Sequence, residues 1–291
     1  MFGTGGAESL VAVKREGKGY APIKSTIGTG LHGLLRSSSA SAVVSMVDAT
    51  EDERHLQPKD DASVRQSAPI SGEMECWKAG SGSLCSFVGT SRRVAGSGGV
   101  AAPVSLGVDR SGGDGGGGAA RLAAEAGVCL VLNSAGEVVG LAPATDFAAG
   151  AREGAKAWAR SVSIGPMVTL ARDAPRGEGQ AEAGMELPLR IAVSSAGGES
   201  QSQEGVLRID DPSDVASAVF DGDSFPDGAL VFVGAPEVRV SLAPGDRVVT
   251  ELGGEGVNAW MGAVENVALA GQAEVEAALA AAAEGKEGAV A

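Results

Sequence analysis

The 291-residue sequence has few of the residues on which many kinds of functional site depend. Its two histidines, His32 and His55, exclude a histidine-rich metal site and leave few candidates for a Ser-His-Asp triad. Its three cysteines, Cys76, Cys85 and Cys129, are odd in number and have no CxxC spacing. This pattern argues against a disulfide framework or a zinc site and predicts reduced thiols in an intracellular compartment.

Basic clusters and long apolar runs are also scarce. The formal net charge is −14, and a surface of that sign repels phosphate backbones and anionic lipids, so neither nucleic acid nor a membrane surface is an expected partner. No apolar run reaches membrane-spanning length, and no secretory signal opens the sequence. Residues 17–47 lack acidic side chains and contain basic residues and a serine cluster. That composition is typical of either an organelle transit segment, which would place the chain in the mitochondrial matrix, or a basic loop.

Aromatic residues are few, but glycine is abundant at 45 residues. This balance predicts an aliphatic core with many turns, and the local patterns agree. Short apolar or alternating runs predict strands, a capping Asp followed by Pro predicts a helix, and Pro- or Gly-containing segments predict turns. The predicted strands are 128–132, 137–141, 187–193, 229–233 and 247–252, with a helix from Asp211-Pro212 and turns at 133–136, 225–228 and 242–246. Strands and helices do not alternate strictly, so the sequence favours a mixed, β-rich α+β fold over a doubly wound nucleotide-binding fold.

Composition divides the chain into three parts. Residues 1–70 form a small N-terminal unit, 71–270 the main domain, and 271–291 an Ala- and Glu-rich helix or tail. The glycine-rich stretch 111–118 lacks the Gly-Lys-Ser/Thr ending of a phosphate-binding loop, so a flexible insertion is expected there.

Four segments in order resemble signatures of the fumarylacetoacetate hydrolase superfamily, particularly its sugar-acid dehydratase-like branch. They are Leu130-Val-Leu-Asn-Ser-Ala-Gly-Glu-Val-Val-Gly140, residues 155–166 ending in Gly-Pro, Phe225-Pro-Asp-Gly-Ala-Leu230, and Leu242-Ala-Pro-Gly-Asp-Arg-Val248. Cys76-Trp-Lys78 resembles an upstream aromatic-Lys motif of the same family. The resemblance is clearest over residues 125–267. It implies a mixed β-roll, often dimeric, with Mg²⁺-dependent chemistry on small 2-oxo or enolisable acids.

The resemblance also implies a set of site residues. Mg²⁺ takes oxygen ligands, and the family positions for three carboxylates fall at Glu125, Gly127 and Asp146, so the set is incomplete. Lys156 matches the lysine that holds or activates substrate. Lys78 and Arg152 are candidate substrate-binding residues, the latter only if a loop slip restores its register.

Each candidate residue also has an ordinary structural interpretation. Glu125 would be an exposed helix or loop carboxylate, and Asp146 a helix N-cap. Lys156 with Glu153 would be a solvated helical pair, and Lys78 a structural residue. The family's Thr-Gly-Thr, which grips a substrate carboxylate, corresponds to Val233-Gly-Ala235, so both hydroxyl donors are gone.

Two functions follow from this pattern. In the first, the chain is a degenerate, non-catalytic member that serves as a structural or interaction subunit, with protein partners or a second copy of itself. In the second, it is an active Mg²⁺-dependent hydrolase, decarboxylase or dehydratase acting on a small 2-oxo or sugar acid. The missing ligand and the lost hydroxyls make the first function the prediction, and the retention of Glu125, Asp146 and Lys156 supports the second as the alternative.

Overall fold

The structure is a computed structural model. It describes residues 2–4, 8–10, 12–14, 20–22, 30–49, 65–66, 74–79, 85–90, 95–96, 102–105, 122–148, 161–165, 167–174, 184–195, 197–252, 262–269 and 277. The predicted tail helix, the glycine-rich insertion, Arg152 and Lys156 lie outside these residues, apart from residue 277 of the tail. The boundaries expected at residues 70 and 270 stay a prediction.

Strands dominate the described residues, as the sequence predicted. The first nine strands are β1 (Phe2–Thr4), β2 (Glu8–Leu10), β3 (Ala12–Lys14), β4 (Tyr20–Pro22), β5 (Arg65–Gln66), β6 (Glu75–Ala79), β7 (Cys85–Thr90), β8 (Ala95–Gly96) and β9 (Ala102–Ser105). The remaining nine are β10 (Leu122–Leu132), β11 (Val138–Ala148), β12 (Ser161–Ile164), β13 (Thr169–Leu170), β14 (Met185–Ser194), β15 (Ser200–Ile209), β16 (Ala229–Leu242), β17 (Arg247–Leu252) and β18 (Ala263–Leu269).

The described helices are short. They are α1 (Gly30–Ser37), α2 (Ala40–Asp48) and α3 (Pro212–Phe220), with a 3₁₀ turn at Ala171–Asp173. The helix predicted at Asp211-Pro212 is confirmed as α3, where the Asp211 side chain accepts from the Ser213 backbone N–H at 2.8 Å. The segment 17–47, for which the composition predicted a transit segment or a basic loop, contains α1 and most of α2, and these helices bury Leu35 and Val43. Among the described residues, no helix has the length and apolar character needed to cross a bilayer.

Two sheets form the body of the fold. The larger has the strand order β7-β6-β16-β10-β11-β12-β8, with β13 added beside β11, and the smaller has the order β15-β14-β17-β18-β9. At the centre of the larger sheet, β10 and β11 form the predicted antiparallel hairpin, and β16 pairs antiparallel with the other edge of β10. Strand β6 runs parallel to β16 and places the Cys76-Trp-Lys78 segment one strand further out.

The core has two parts because alternate residues of a strand point to opposite faces of a sheet. From β10, Val128, Leu130 and Leu132 enter the core between the two sheets, where they meet β14 and β17. Cys129 and Val131 enter a second core beneath α1 and α2. A buried hydrogen bond of 2.7 Å between the hydroxyls of Thr145 on β11 and Thr250 on β17 also connects the sheets.

The motifs that carry the family resemblance are largely turns. In Phe225-Pro-Asp-Gly228, the glycine has φ of +80°, and a side chain there would overlap the Leu132 carbonyl of β10. In Leu242-Ala-Pro-Gly-Asp246, the Asp246 carboxylate accepts from the Ala243 N–H at 2.8 Å and closes the turn. These segments determine where β16 and β17 begin, which explains their residue types without any catalytic role.

Candidate functional site

Four ionisable side chains cluster on one face of the larger sheet, toward the open end of the β10–β11 hairpin. They are Lys78 of β6, Glu125 of β10, Asp146 of β11 and Arg239 of β16. The face is that of the second core, because Lys78 lies two residues from the buried Cys76, Glu125 four from Cys129 and Asp146 two from Ala144. The two-residue period of β6, β10 and β11 therefore places Lys78, Glu125 and Asp146 on the same face of the sheet, where Arg239 contacts Glu125. We call them the carboxylate cluster.

The two carboxylates lie opposite each other on neighbouring strands. Glu125 and Asp146 are Cα partners in the β10–β11 pairing, and they are 3% and 0% exposed. Neither alternative from the sequence holds for them: Glu125 is buried in a strand rather than exposed on a helix or loop, and Asp146 lies within β11 rather than capping a helix. Like charges in directly opposed positions repel, and buried carboxylates need compensating partners.

Lys78 provides that compensation. Its Nζ lies 2.6 Å from Asp146 Oδ2 and 3.0 Å from Glu125 Oε2, so the ammonium bridges the carboxylates. The lysine reaches them across β16, with Nζ 5.1 Å from the centroid of the Phe232 ring, a cation–π arrangement. Its side chain is 20% exposed. The structure thus brings Lys78 to the carboxylates, and whether its role is substrate binding stays a prediction.

Arg239 is a member of the cluster that the sequence analysis missed. Its Nη2 donates to Glu125 Oε2 at 3.0 Å, and its side chain is 49% exposed. Its backbone N–H donates to Gln203 Oε1 at 2.7 Å. The residue lies directly opposite Glu125 in the β10–β16 register. The signal for it was weak, because an arginine in a strand with alternating exposure is usually an ordinary surface residue.

A bulge in the β10–β16 pairing shapes the site. Glu125 pairs with Arg239, but Gly127 pairs with Gly234, so β16 has several extra residues over this short interval. A side chain at 234 would overlap Glu125 Oε1, so glycine makes room for the carboxylate. A side chain at 127 would overlap the Val233 carbonyl and lie 2.7 Å from Cζ of Phe232. The position aligned with a family ligand is therefore filled by the Phe232 ring.

The remaining oxygens bear on whether the cluster fits a divalent cation. Asp146 Oδ1 is buried and has no hydrogen-bond partner among the residues that the structure describes. An acceptor without a donor, beside a second carboxylate, suits a hard cation, since Mg²⁺ can bind through one or two carboxylates with water and substrate filling the other positions. The oxygen atoms of Glu125 and Asp146 therefore fit a metal site with two carboxylate ligands. In the described part of the chain, no group of three or more His, Cys, Asp or Glu side chains converges.

A surface depression of about 500 Å³ lies elsewhere, between the hairpin turn and the start of α3. Its described lining includes Glu137, Arg172, Asp211 and Ser213, and it does not include the carboxylate cluster. Glu137 and Asp211 already serve the N-termini of helices α2 and α3 there. The depression is therefore accounted for by helix capping, and the cluster is the better candidate site.

No protein-family model matches the sequence, and no curated protein matches it either. Solved structures do match the fold. A structure described as 2-keto-3-deoxy-D-arabinonate dehydratase complexed with magnesium and 2,5-dioxopentanoate superposes with a TM-score of 0.67 and 12% identity, covering 92% of this chain and 97% of that one. Maleylpyruvate hydrolase from Sphingobium sp. SYK-6, in complex with manganese(II) ion and pyruvate, superposes with a TM-score of 0.56 and 15% identity, covering 91% and 97%.

A third match is 2-hydroxyhepta-2,4-diene-1,7-dioate isomerase from Mycobacterium marinum, with a TM-score of 0.54, 15% identity and coverage of 90% and 98%. At these identities the likeness concerns the fold. The expected fold class is confirmed, because the three enzymes belong to the fumarylacetoacetate hydrolase superfamily. The chain has a fumarylacetoacetase-like, β-rich α+β fold.

Proposed function

We propose that the chain is an enzyme that acts on a small 2-oxo or sugar acid, as a hydrolase, decarboxylase or dehydratase, with a divalent cation held by Glu125 and Asp146. The observation that carries this proposal is the burial of two opposed carboxylates around one lysine ammonium. A buried ionic cluster contributes little net stability to a fold, because replacing such a cluster with apolar residues of similar volume often leaves the stability unchanged or raises it. A binding role explains its presence better than a structural one.

The neighbouring folds support the same choice. They are a dehydratase, a hydrolase and an isomerase, and the first two are described in complex with magnesium or manganese and with small oxo acids. They favour the enzymatic hypothesis over the non-catalytic one that the missing ligand suggested. The substrate class and the metal come to this chain only as part of the proposal.

The chemistry assigned to each group follows from its position. A bound divalent cation would polarise the carbonyl and carboxylate oxygens of a 2-oxo acid and favour its enolate form. Lys78 Nζ carries protons beside that position and would orient the acid or donate a proton to it. Asp146 Oδ2 and Glu125 Oε2 hold the ammonium in place. Phe232 closes the inner side of the site with an apolar ring and excludes water there.

Lys156 and Arg152 remain predicted contributors. Both lie outside the described residues. Lys156 would either add a second amine near the substrate or be a non-functional remnant of the family lysine. The variant Lys156→Met distinguishes these two roles. A loss of turnover in that variant with oxalate affinity unchanged would support the first role, whereas full turnover would support the second.

The proposal is tested by isothermal titration of the chain with MgCl₂ and with MnCl₂, each with and without oxalate as a mimic of an enolised 2-oxo acid. We expect binding on the order of millimolar or tighter, strengthened by oxalate, since substrate oxygens complete a two-carboxylate site. Asp146→Asn should weaken it by at least about tenfold, a typical loss on changing a metal-site residue. Asp214→Asn, an exposed acid in the first turn of α3, is the matched control and should bind as the unaltered chain does.

A panel of 2-oxo and 2-keto-3-deoxy acids, followed by NMR, then identifies the reaction. Turnover that requires Asp146 supports the proposal. Absence of both cation and oxalate binding in the folded chain contradicts it and returns the chain to the non-catalytic alternative. One observation already favours that alternative: Lys78 and Arg239 together balance the two carboxylate charges without a metal.

A further inference from the structure

We infer that Arg239 is the residue that binds the substrate's carboxylate, acting with Lys78 at the exposed side of the carboxylate cluster. The inference rests on the proposed function and adds to it the means of holding the acid. Arg239 lies outside the four sequence segments that resemble the family signatures.

The guanidinium of Arg239 is only partly used by the fold. Arginine has five N–H donors in a fixed planar fork, and among the residues that the structure describes only Nη2 makes a side-chain hydrogen bond, to Glu125 Oε2. The side chain is about half exposed, so the guanidinium is not enclosed by the described residues. A guanidinium that is held by one N–H and is partly exposed can donate two parallel hydrogen bonds to a carboxylate.

Lys78 and Arg239 converge on the same atom. Lys78 Nζ and Arg239 Nη2 each lie 3.0 Å from Glu125 Oε2, so they are within twice that distance of each other. One small acid can therefore contact both cations, with its carboxylate on the guanidinium and its neighbouring 2-oxo oxygen on the ammonium.

The residues next to Gly234 do not provide side-chain donors for a substrate carboxylate. Val233 and Ala235, which flank Gly234 beside Glu125, have no side-chain donor. The backbone of Arg239 is held by its N–H bond to Gln203 and by strand pairing with Glu125, and the contact of Nη2 with Glu125 Oε2 orients the guanidinium. A preorganised donor loses little freedom on binding, which favours affinity.

The test compares the oxalate affinity of Arg239→Gln with that of the unaltered chain by isothermal titration, with MgCl₂ present and again without it. Loss of a charge-assisted contact predicts weakening of about 10- to 100-fold. Arg239→Lys keeps the charge but not the fork, so it should fall between the two. The matched control is Arg190→Gln, an arginine of β14 that is 46% exposed and paired with Glu251 at 3.1 Å. It should bind oxalate within about twofold of the unaltered chain, since exposed pairs contribute little.

A second measurement separates binding from positioning. Arg239 contacts Glu125, so its loss could act by displacing that carboxylate. Titration of Arg239→Gln with MgCl₂ alone distinguishes the two: an unchanged Mg²⁺ affinity supports direct binding of the acid, whereas a loss of Mg²⁺ affinity that matches the loss of oxalate affinity overturns it. Oxalate binding by Arg239→Gln within about twofold of the unaltered chain, with Asp146→Asn impaired, overturns this inference and leaves the proposed function in place. If the unaltered chain binds no oxalate, the proposed function fails and this inference fails with it.

Discussion

Lys78 sets the charge balance of the carboxylate cluster at the scale of single residues. It contacts both carboxylates, whereas Arg239 contacts only Glu125, so among the described residues Lys78 is the cation that compensates the Asp146 charge. Two glycines near the cluster matter because they lack side chains. Gly234 leaves space for Glu125, and Gly127 leaves space for Phe232, so the site is shaped by side chains that are missing as well as by those present.

Replacement of the lysine should reveal this dependence. We expect Lys78→Met to lower the free energy of unfolding by about 3 kcal/mol, because removal of one partner leaves a buried charge without compensation. Urea denaturation measures the change. The double variant with Asp146→Asn should lose less than the sum of the two single variants, since the two residues act on each other. Additive losses would show that Lys78 and Asp146 are not coupled.

Gly234→Ala tests the space around Glu125. The added methyl group would overlap Glu125 Oε1, so the carboxylate or β16 must move, at a cost of about 1–3 kcal/mol typical of overpacking. Thermal or urea unfolding reports the cost, and titration with oxalate reports the loss of the site. The control is Gly197→Ala, at a turn position with nothing within 4 Å of the added atom. It should change stability by less than about 0.5 kcal/mol, and an equal effect of both variants would contradict the steric explanation.

At the scale of elements, the hairpin turn between β10 and β11 organises the neighbouring helices. Asn133 Oδ1 accepts from the N–H groups of Ala135 and Glu137 and thereby shapes the turn. The Glu137 carboxylate then accepts from Ala40, the first residue of α2, at 2.7 Å. These contacts dock α2 over the second core. The hydrogen bond from the Ala40 N–H and that from the Asn133 side chain lower the pKa of Glu137 below its ordinary value.

Glu137→Ala should therefore destabilise the docked helix. We expect a loss of about 1 kcal/mol, as for removal of a helix N-terminal cap, measured by urea unfolding at neutral pH. The folded-state pKa is lowered, so the contribution of Glu137 is fully present above the ordinary glutamate pKa and is lost as the pH falls through the lowered value. The difference between the variant and the unaltered chain should accordingly shrink in acid. Glu199→Ala, an exposed glutamate in another turn, should show no such difference at either pH.

At the scale of the whole molecule, two sheets pack through an apolar core, and buried hydrogen bonds between described residues link them. The 2.7 Å hydrogen bond between Thr145 and Thr250 is one, and that between Asn266 Nδ2 and Ser163 Oγ, also 2.7 Å, is another. Thr145 lies one residue before Asp146 and points to the opposite face of β11. The link therefore fixes the strand that carries Asp146 against the smaller sheet.

A double-mutant cycle on this pair should show coupling between the sheets. Thr145→Val or Thr250→Val alone leaves a buried hydroxyl without its partner and should cost about 1–3 kcal/mol, whereas the double variant should cost much less, because replacing both partners by apolar groups is close to neutral. Unfolding in urea gives the three values. A double variant as unstable as the sum of the single variants would contradict the link.

The sequence by itself determined the β-rich class, the β10–β11 hairpin, the start of α3 and the turns before β16 and β17. These features depend on local patterns: apolar runs, a capping Asp before Pro, and glycines at positions of positive φ such as Gly228. The family motifs predicted the fold for the same reason, since they are mainly turn segments whose residue types local geometry requires.

Tertiary structure alone decided the composition of the site. Glu125 and Asp146 are 21 residues apart, and Arg239 lies 114 residues from Glu125, so only strand pairing and register place them together. The burial of Glu125 and Asp146 in strands also required the sheet, because a short Ala-rich run or a single Asp is compatible with several local structures. Arg239 has no local signal of function. It becomes part of the site because a bulge in β16 sets it opposite Glu125, a consequence of long-range pairing that no local pattern in the sequence contains.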